Sequence, residues 1–178
     1  MLFEKISLAG ACIVDLEPIA DERGFFARTF DRRAFEANGL NPDVAQANLS
    51  FNAMKGTLRG MHWQVAPAPE SKLVRCSRGA VYDVIIDLRP GSATYCEHFG
   101  VELTAVNRRA LYVPEMFAHG FQTLEDDTEV SYMVGDFYTP EAERGVRNDD
   151  PLFAIDWPLP ISAVSTKDAS WPDFKAES

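Results

Sequence analysis

Apolar and polar positions alternate along this chain in short runs broken by Gly, Pro, Asn and Asp. Period-two alternation of this kind marks half-buried strands. It predicts strands over residues 11–19, 25–30, 44–51, 56–64, 72–77, 80–88, 96–104, 110–113, 117–124 and 129–135. In the last of these Val130, Tyr132 and Val134 share one face. Pro18 puts the first strand at an edge or an end. The runs 56–64 and 72–77 flank a loop, residues 65–71, with two prolines, and so predict consecutive antiparallel strands. Ser77-Arg78-Gly79 predicts a hairpin turn into 80–88. One helix is expected: Asp31 can cap it, it runs through Asn38, and Gly39 suits the position after its end. Beyond Tyr138 the chain is Pro- and Asp-rich to Pro160 and ends in a short, helix-compatible tail with Trp171. Many short strands with Gly/Pro/Asp turns predict an all-β sandwich or barrel. With no repeat or interior linker, residues 1–178 read as one domain.

Composition narrows the class without deciding the chemistry. Hydrophobic residues make up 46% and charged residues 25%, a globular balance. No stretch approaches the roughly 18 apolar residues of a membrane span, and no signal-like start is present. A cytoplasmic protein is expected. Cys12, Cys76 and Cys96 are odd in number and widely spaced, which indicates neither a disulfide framework nor a zinc knuckle. A net charge of −10 disfavours nucleic acid as a partner, since that affinity comes from neutralising phosphates. A few converging cations could still hold a small anion. The glycine patterns of dinucleotide folds and P-loops are absent, as is the nucleophile elbow. His62, His98 and His119 are single and far apart, so no metal site is expected.

Several polar residues sit in apolar surroundings: His62, Lys72, His119, Tyr132 and Tyr138. Singly, each is an ordinary strand-edge or core residue with a satisfied polar tip. As a set they describe a reaction. An imidazole suits a general base near neutral pH. A phenol can hand over a proton, and an ammonium can stabilise a developing oxyanion. Together these remove a proton beside a carbonyl, hold the enolate and reprotonate it. With base and acid on opposite faces of the substrate, a stereocentre inverts.

Six ordered segments carry a resemblance: Asp21 to Phe26, Gly56 to Gln64 with its Leu-Arg-Gly-Met-His core, Lys72 to Arg75, Val113 to Phe121 with Pro-Glu-Met-Phe-Ala-His-Gly-Phe, Tyr138 to Gly145, and Ser165 to Asp168. The chain resembles the dTDP-4-dehydrorhamnose 3,5-epimerase family over nearly its whole length. The resemblance implies a cupin-like jelly roll with few short helices, no metal or other cofactor, and a homodimer. It implies a nucleoside-diphosphate 4-keto-6-deoxysugar as substrate, and deoxysugar supply for polysaccharide as the commonest role. It implies His62 as base at C3 and C5, Asp168 as the partner that polarises its ring, Lys72 at the enolate oxygen and Tyr132 as acid on the opposite face. His119 would line the site and Tyr138 would stack on the nucleotide base. Arg23, Arg59 and Lys167 match cationic contacts suited to diphosphate. Gln46, Asn48 and Glu143 match polar ligand contacts.

Departures from the family pattern concern binding positions. Arg28 stands where Glu is usual, Ala47 and Leu49 alter a polar run, Met133 replaces Lys, and Phe137 stands where Tyr is common. The catalytic set is intact, so the chemistry carries over better than the identity of the sugar or nucleotide. A 3-epimerase is the nearest alternative; a metal-dependent cupin and a non-catalytic sugar-binding jelly roll are more distant ones. Strict alternation also raises a conflict, because it sets Leu58, Gly60 and His62 on one strand face and Arg59, Met61 and Trp63 on the other. Either the strand bulges at Gly60, or Arg59 serves a neighbouring subunit or reaches round a sheet edge.

Overall fold

The computed structural model of the chain describes residues 1–176. In chain order it contains β1 (Leu2–Lys5), β2 (Cys12–Asp15), β3 (Ile19–Asp21), β4 (Gly24–Phe26), helix α1 (Arg32–Ala37), β5 (Gln46–Asn52), β6 (Leu58–Gln64), β7 (Lys72–Arg78) and β8 (Ala80–Asp87). There follow β9 (His98–Thr104), β10 (Ala110–Val113), β11 (Phe117–Thr123), β12 (Thr128–Val134), a 3₁₀ turn (Pro140–Ala142), β13 (Glu143–Gly145) and helix α2 (Thr166–Ala169). One sheet runs β1-β2-β10-β7-β12-β5 and the other β13-β6-β11-β8-β9, while β3 and β4 form a separate hairpin. Every strand pair is antiparallel. This is the expected all-β jelly-roll sandwich.

The two inner faces meet in a core that includes Val74, Val81, Ile85, Leu103, Leu111, Phe117 and Val130. Both outer faces are covered as well. Phe35 of α1 packs on Cys12, Val14, Leu73 and Tyr112 of the six-stranded sheet. On the other side Val146, Phe153 and Trp157 pack on Met61, Trp63, Val84 and Ile86. Coverage on both sides explains why β8 is a nearly continuous apolar run rather than an alternating one.

Two of the predicted connections differ. The runs around loop 65–71 are not a pair, because β6 belongs to one sheet and β7 to the other. Nor is Ser77-Arg78-Gly79 a hairpin turn: it carries the chain across the sandwich, and β8 pairs with β9 and β11. In a jelly roll, strands adjacent in sequence often lie in opposite sheets, so short turns alone do not reveal pairing. The predicted first strand splits at Pro18 into β2 and β3, and the second ends at Phe26. The helix stands where expected: Asp31 accepts from the Arg33 and Ala34 amides, and Gly39 follows with φ +70°. Strands β1 and β13 lie outside the predicted runs. Among the described residues no helix is long and apolar enough to cross a membrane.

Asp87 locks the end of β8. Its fully buried carboxylate accepts from Arg89 Nη2 (2.6 Å), Ser92 Oγ (2.6 Å) and Thr94 Oγ1 (2.7 Å). Burial opposes its charge, but the Arg89, Ser92 and Thr94 donors outweigh burial and bring its pKa down to about 2. A lowered folded-state pKa contributes stability above the ordinary carboxylate range, and that stability is lost as pH falls toward 2. Asp87→Asn should therefore cost about 2 kcal/mol at pH 7. Urea unfolding from pH 6 to pH 2 should show the gap between variant and parent narrowing below about pH 4; a gap independent of pH would contradict this account.

Candidate active site

At one end of the sandwich the core stops short and leaves an open cavity of about 1050 Å³ between the sheets. Strands β6 and β11 supply one wall, with Arg59, His62 and His119. The opposite wall comes from β7, β12 and β5, with Lys72, Tyr132, Gln46 and Asn48. Tyr138, Glu143, Lys167 and Asp168 close the rim. The cavity thus gathers twelve candidates less one: the exception is Arg23. It sits at the tip of the β3–β4 hairpin with its side chain 85% exposed, paired with Asp21 at 2.5 Å.

Arg59 and His62 reach the same cavity because β6 bulges. His62 lies opposite His119 and Arg59 opposite Phe121, so Gly60 and Met61 together face Gly120 alone. The extra residue resets the alternation, and Met61 and Trp63 turn to the outer layer. Glycine is required on both strands. A Cβ on Gly60 would lie 2.6 Å from Gly120 Cα and from the His119 carbonyl, at φ +105°. One on Gly120 would lie 2.7 Å from the Arg59 carbonyl. Of the two arrangements left open by sequence, the bulge is the observed one.

The bulge is clasped from outside its sheet. Residues 162 and 163 run beside Gly56 and Leu58 through Ser162 N–Gly56 O (3.0 Å) and Leu58 N–Ala163 O (2.8 Å) bonds. Ser165 then caps α2 by accepting from the Asp168 amide. That places Asp168, 4% exposed, beneath the imidazole. Its Oδ1 lies 2.7 Å from His62 Nε2, and its Oδ2 accepts the Gly60 amide at 3.2 Å. Burial works against the charge of this carboxyl, but His62, Gly60 and Ser165 together hold it below the ordinary range. A carboxylate can only accept, so Nε2 carries a proton and Nδ1 is the ring nitrogen not engaged by Asp168.

Across the cavity, Lys72 is 8% exposed. Its Nζ donates to the His62 carbonyl at 3.2 Å and pairs with Glu70 Oε1 at 3.0 Å. Burial pushes the Tyr132 phenol above its usual value; the Glu70 charge adds to this and Arg59 opposes it. Arg59 is oriented by Asn52 Oδ1 at 2.6 Å. At the rim, Glu143 accepts from Tyr138 Oη (2.9 Å) and Lys167 Nζ (2.5 Å). The bond to Glu143 raises the Tyr138 phenol, and the same carboxylate raises the Lys167 ammonium. Gln46 Oε1 accepts the Tyr138 amide at 2.9 Å.

Three residues of the site escaped the sequence reading. Asp83 pairs with His119 Nε2 at 2.9 Å, deep in the core; its signal was an acid inside the apolar run 80–88. Glu70 was the one acid in the Pro-rich loop. Gln64, 2% exposed, ties that loop to the rim: its amide donates to Ala68 O (2.9 Å) and Phe137 O (3.2 Å) and accepts from Thr139 N (2.6 Å). No pattern announced it. Two of the three histidines lie side by side here, yet among the described residues no group of three or more His, Cys, Asp or Glu could hold a metal ion.

An imidazole held by a carboxylate, an ammonium and a phenol around one interior cavity are the parts of a proton-transfer site on a jelly roll. Residues 5–176 match the family model described as dTDP-4-dehydrorhamnose 3,5-epimerase. A relative of that name from Methanothermobacter thermautotrophicus is 45% identical over 176 residues, covering 97% of this chain and 94% of its own. The crystal structure of dTDP-4-dehydrorhamnose 3,5-epimerase from Elizabethkingia anophelis superposes with a TM-score of 0.94 at 37% identity, covering 98% of this chain and 96% of that one. The enzyme of that name from Bacillus anthracis, solved with TDP and PPi bound, gives a TM-score of 0.92 at 37% identity over 97% and 99% of the two chains. The chain belongs to the dTDP-4-dehydrorhamnose 3,5-epimerase family.

The bulge makes a direct prediction. Gly60→Ala should destabilise the fold by about 3 kcal/mol, since both the backbone angle and the space forbid a Cβ. Equilibrium urea unfolding measures it, and a loss below about 0.5 kcal/mol, the range of neutral surface changes, would show that the strands can part without cost.

Proposed function

We propose that this chain inverts C3 and C5 of dTDP-4-keto-6-deoxyglucose to give dTDP-4-dehydrorhamnose, working as one epimerase domain. The observation that carries this is the placement of His62 and Tyr132 on opposite sheets, facing one cavity. A proton removed from one face by His62 Nδ1 can then be replaced from the other by the Tyr132 hydroxyl. As the proton leaves, charge moves to the C4 oxygen, and the Lys72 ammonium meets it in a water-poor setting where such contacts are strong. Asp168 fixes the imidazole tautomer and stabilises the imidazolium that forms. Two rounds, one at each carbon flanking the carbonyl, give the doubly inverted sugar. Arg59 and Lys167 are assigned to the diphosphate, Tyr138 to stacking on the nucleotide base, and Gln46, Asn48, His119 and Glu143 to polar contacts.

Arg23 finds its role in a homodimer. β5 is an edge strand with Leu49 and Phe51 exposed, and Ile19, Phe25 and Phe26 of the projecting hairpin are exposed too. Exposed apolar edges of this kind favour pairing with a second copy. In that arrangement Arg23 of one subunit serves the diphosphate of the other. The protein is assigned to the cytoplasm, where Cys12, Cys76 and Cys96, all unpaired, stay reduced.

Incubation with dTDP-4-keto-6-deoxyglucose in deuterated buffer tests the chemistry: deuterium should enter at C3 and C5. No exchange in folded protein would refute the substrate, and exchange at C3 alone would make it a 3-epimerase. His62→Ala should lose exchange at both carbons by about 10³-fold. Tyr132→Phe should still exchange but leave at least one inversion incomplete; full product formation would remove the acid role. For the assembly, Phe51→Glu should shift sedimentation velocity from dimer to monomer, and an unchanged dimer would place the interface elsewhere.

A further inference from the structure

Glu70 has no part in the chemistry assigned above, yet its side chain lines the cavity and is only 10% exposed. An acid in that setting needs a reason, because an anionic substrate must enter the same space. Its partner supplies one. A lysine ammonium has three N–H donors. Here one goes to the His62 carbonyl at 3.2 Å, and Glu70 Oε1 forms an ion pair with the same nitrogen at 3.0 Å. Lys72 lines the cavity, and donor capacity not used on the His62 carbonyl remains for it. Without Glu70 the flexible four-carbon stem would have a single anchor. The loop that carries Glu70 is itself held on both sides. Gln64 donates to Ala68 O at 2.9 Å, and Ser71 O accepts the Gly135 amide at 2.8 Å.

Tyr132 lies on the same face. Val134 pairs with Lys72 and Tyr132 with Val74, which makes Tyr132 and Lys72 diagonal neighbours across β12 and β7. The charged and titratable groups that share this cavity with Tyr132 are Glu70 from the loop, Lys72 from β7, Arg59, His62 and His119 from the opposite wall, and Tyr138, Glu143, Lys167 and Asp168 at the rim. We propose that Glu70 is a positioning residue of the epimerase: it fixes the Lys72 ammonium with one N–H directed at the substrate carbonyl, and it sets the charge around the Tyr132 hydroxyl. This rests on the roles assigned to Lys72 and Tyr132. The negative charge of Glu70 adds to burial in raising the Tyr132 phenol, so the acid keeps its proton further into alkaline pH.

The test is the pH profile of kcat and KM on dTDP-4-keto-6-deoxyglucose for the parent, Glu70→Gln, Glu70→Asp and Tyr132→Phe, each first shown to be folded by circular dichroism. Glu70→Gln should lower kcat about tenfold to a hundredfold through a misaimed ammonium, with KM little changed. Its alkaline limb should move to lower pH, and Glu70→Asp should move the limb back. Unchanged kcat with a superposable limb would overturn the proposal. So would a loss of kcat with an unshifted limb that Glu70→Asp does not restore, which would make Glu70 merely structural. Tyr132→Phe separates this from the underlying assignment: if its profile keeps the parent's alkaline limb, Tyr132 is not the group observed, and only the hold on Lys72, read from kcat, stands or falls with Glu70→Gln.

Discussion

Two strands touch at Gly60 and Gly120 with no room for a side chain between them. That contact fixes the bulge in β6, and the bulge decides which residues reach the interior. With regular pleating, His62 would enter the cavity while Arg59 turned to the outer layer. One extra residue on β6 reverses the parity upstream and leaves His62 in place. The Gly60 amide, freed by the irregular pairing, finds its acceptor in Asp168, the same carboxylate that holds the imidazole. One side chain thus satisfies both a backbone amide and an imidazole.

The cavity is a set of charges kept apart from one another by pairing. His62 leans on Asp168, His119 on Asp83, Lys72 on Glu70, and Lys167 on Glu143. Polar and charged groups buried without partners are costly. Pairing offsets the cost of burying these groups, and donors not used in pairing remain for a ligand. This also reconciles a net charge of −10 with an anionic substrate. The acids near the site are largely spent on its own bases and cations, and the rest lie elsewhere on the chain.

Much of this was legible in the sequence, for reasons that can be stated. The class of fold followed from many short apolar runs broken by Gly, Pro and Asp turns, although β8, β10 and β11 are buried on both faces. The α1 helix followed from Asp31 and Gly39, whose side-chain and backbone chemistry is local. His62, Lys72, His119 and Tyr132 stood out as polar residues in apolar runs. Pairing was not legible: β6 to β7 and β7 to β8 look like hairpins locally, and only packing sends each across the sandwich. Glu70 and Asp83 had visible but weak signals, as acids in a loop and a strand. Gln64 had none, since its three bonds run to the backbone of segments far along the chain. Arg23 was recognised by motif, and a single chain leaves it outside the cavity.

Asp168 comes from α2, a four-residue helix that adds almost nothing to either sheet. All thirteen strands of the described chain are complete by Gly145, and the outer layer closes largely with residues 146–157. The carboxylate beside His62 is therefore carried by a segment that belongs to neither sheet and is held to β6 and its lead-in through the Ser162–Gly56, Leu58–Ala163 and Gly60–Asp168 bonds.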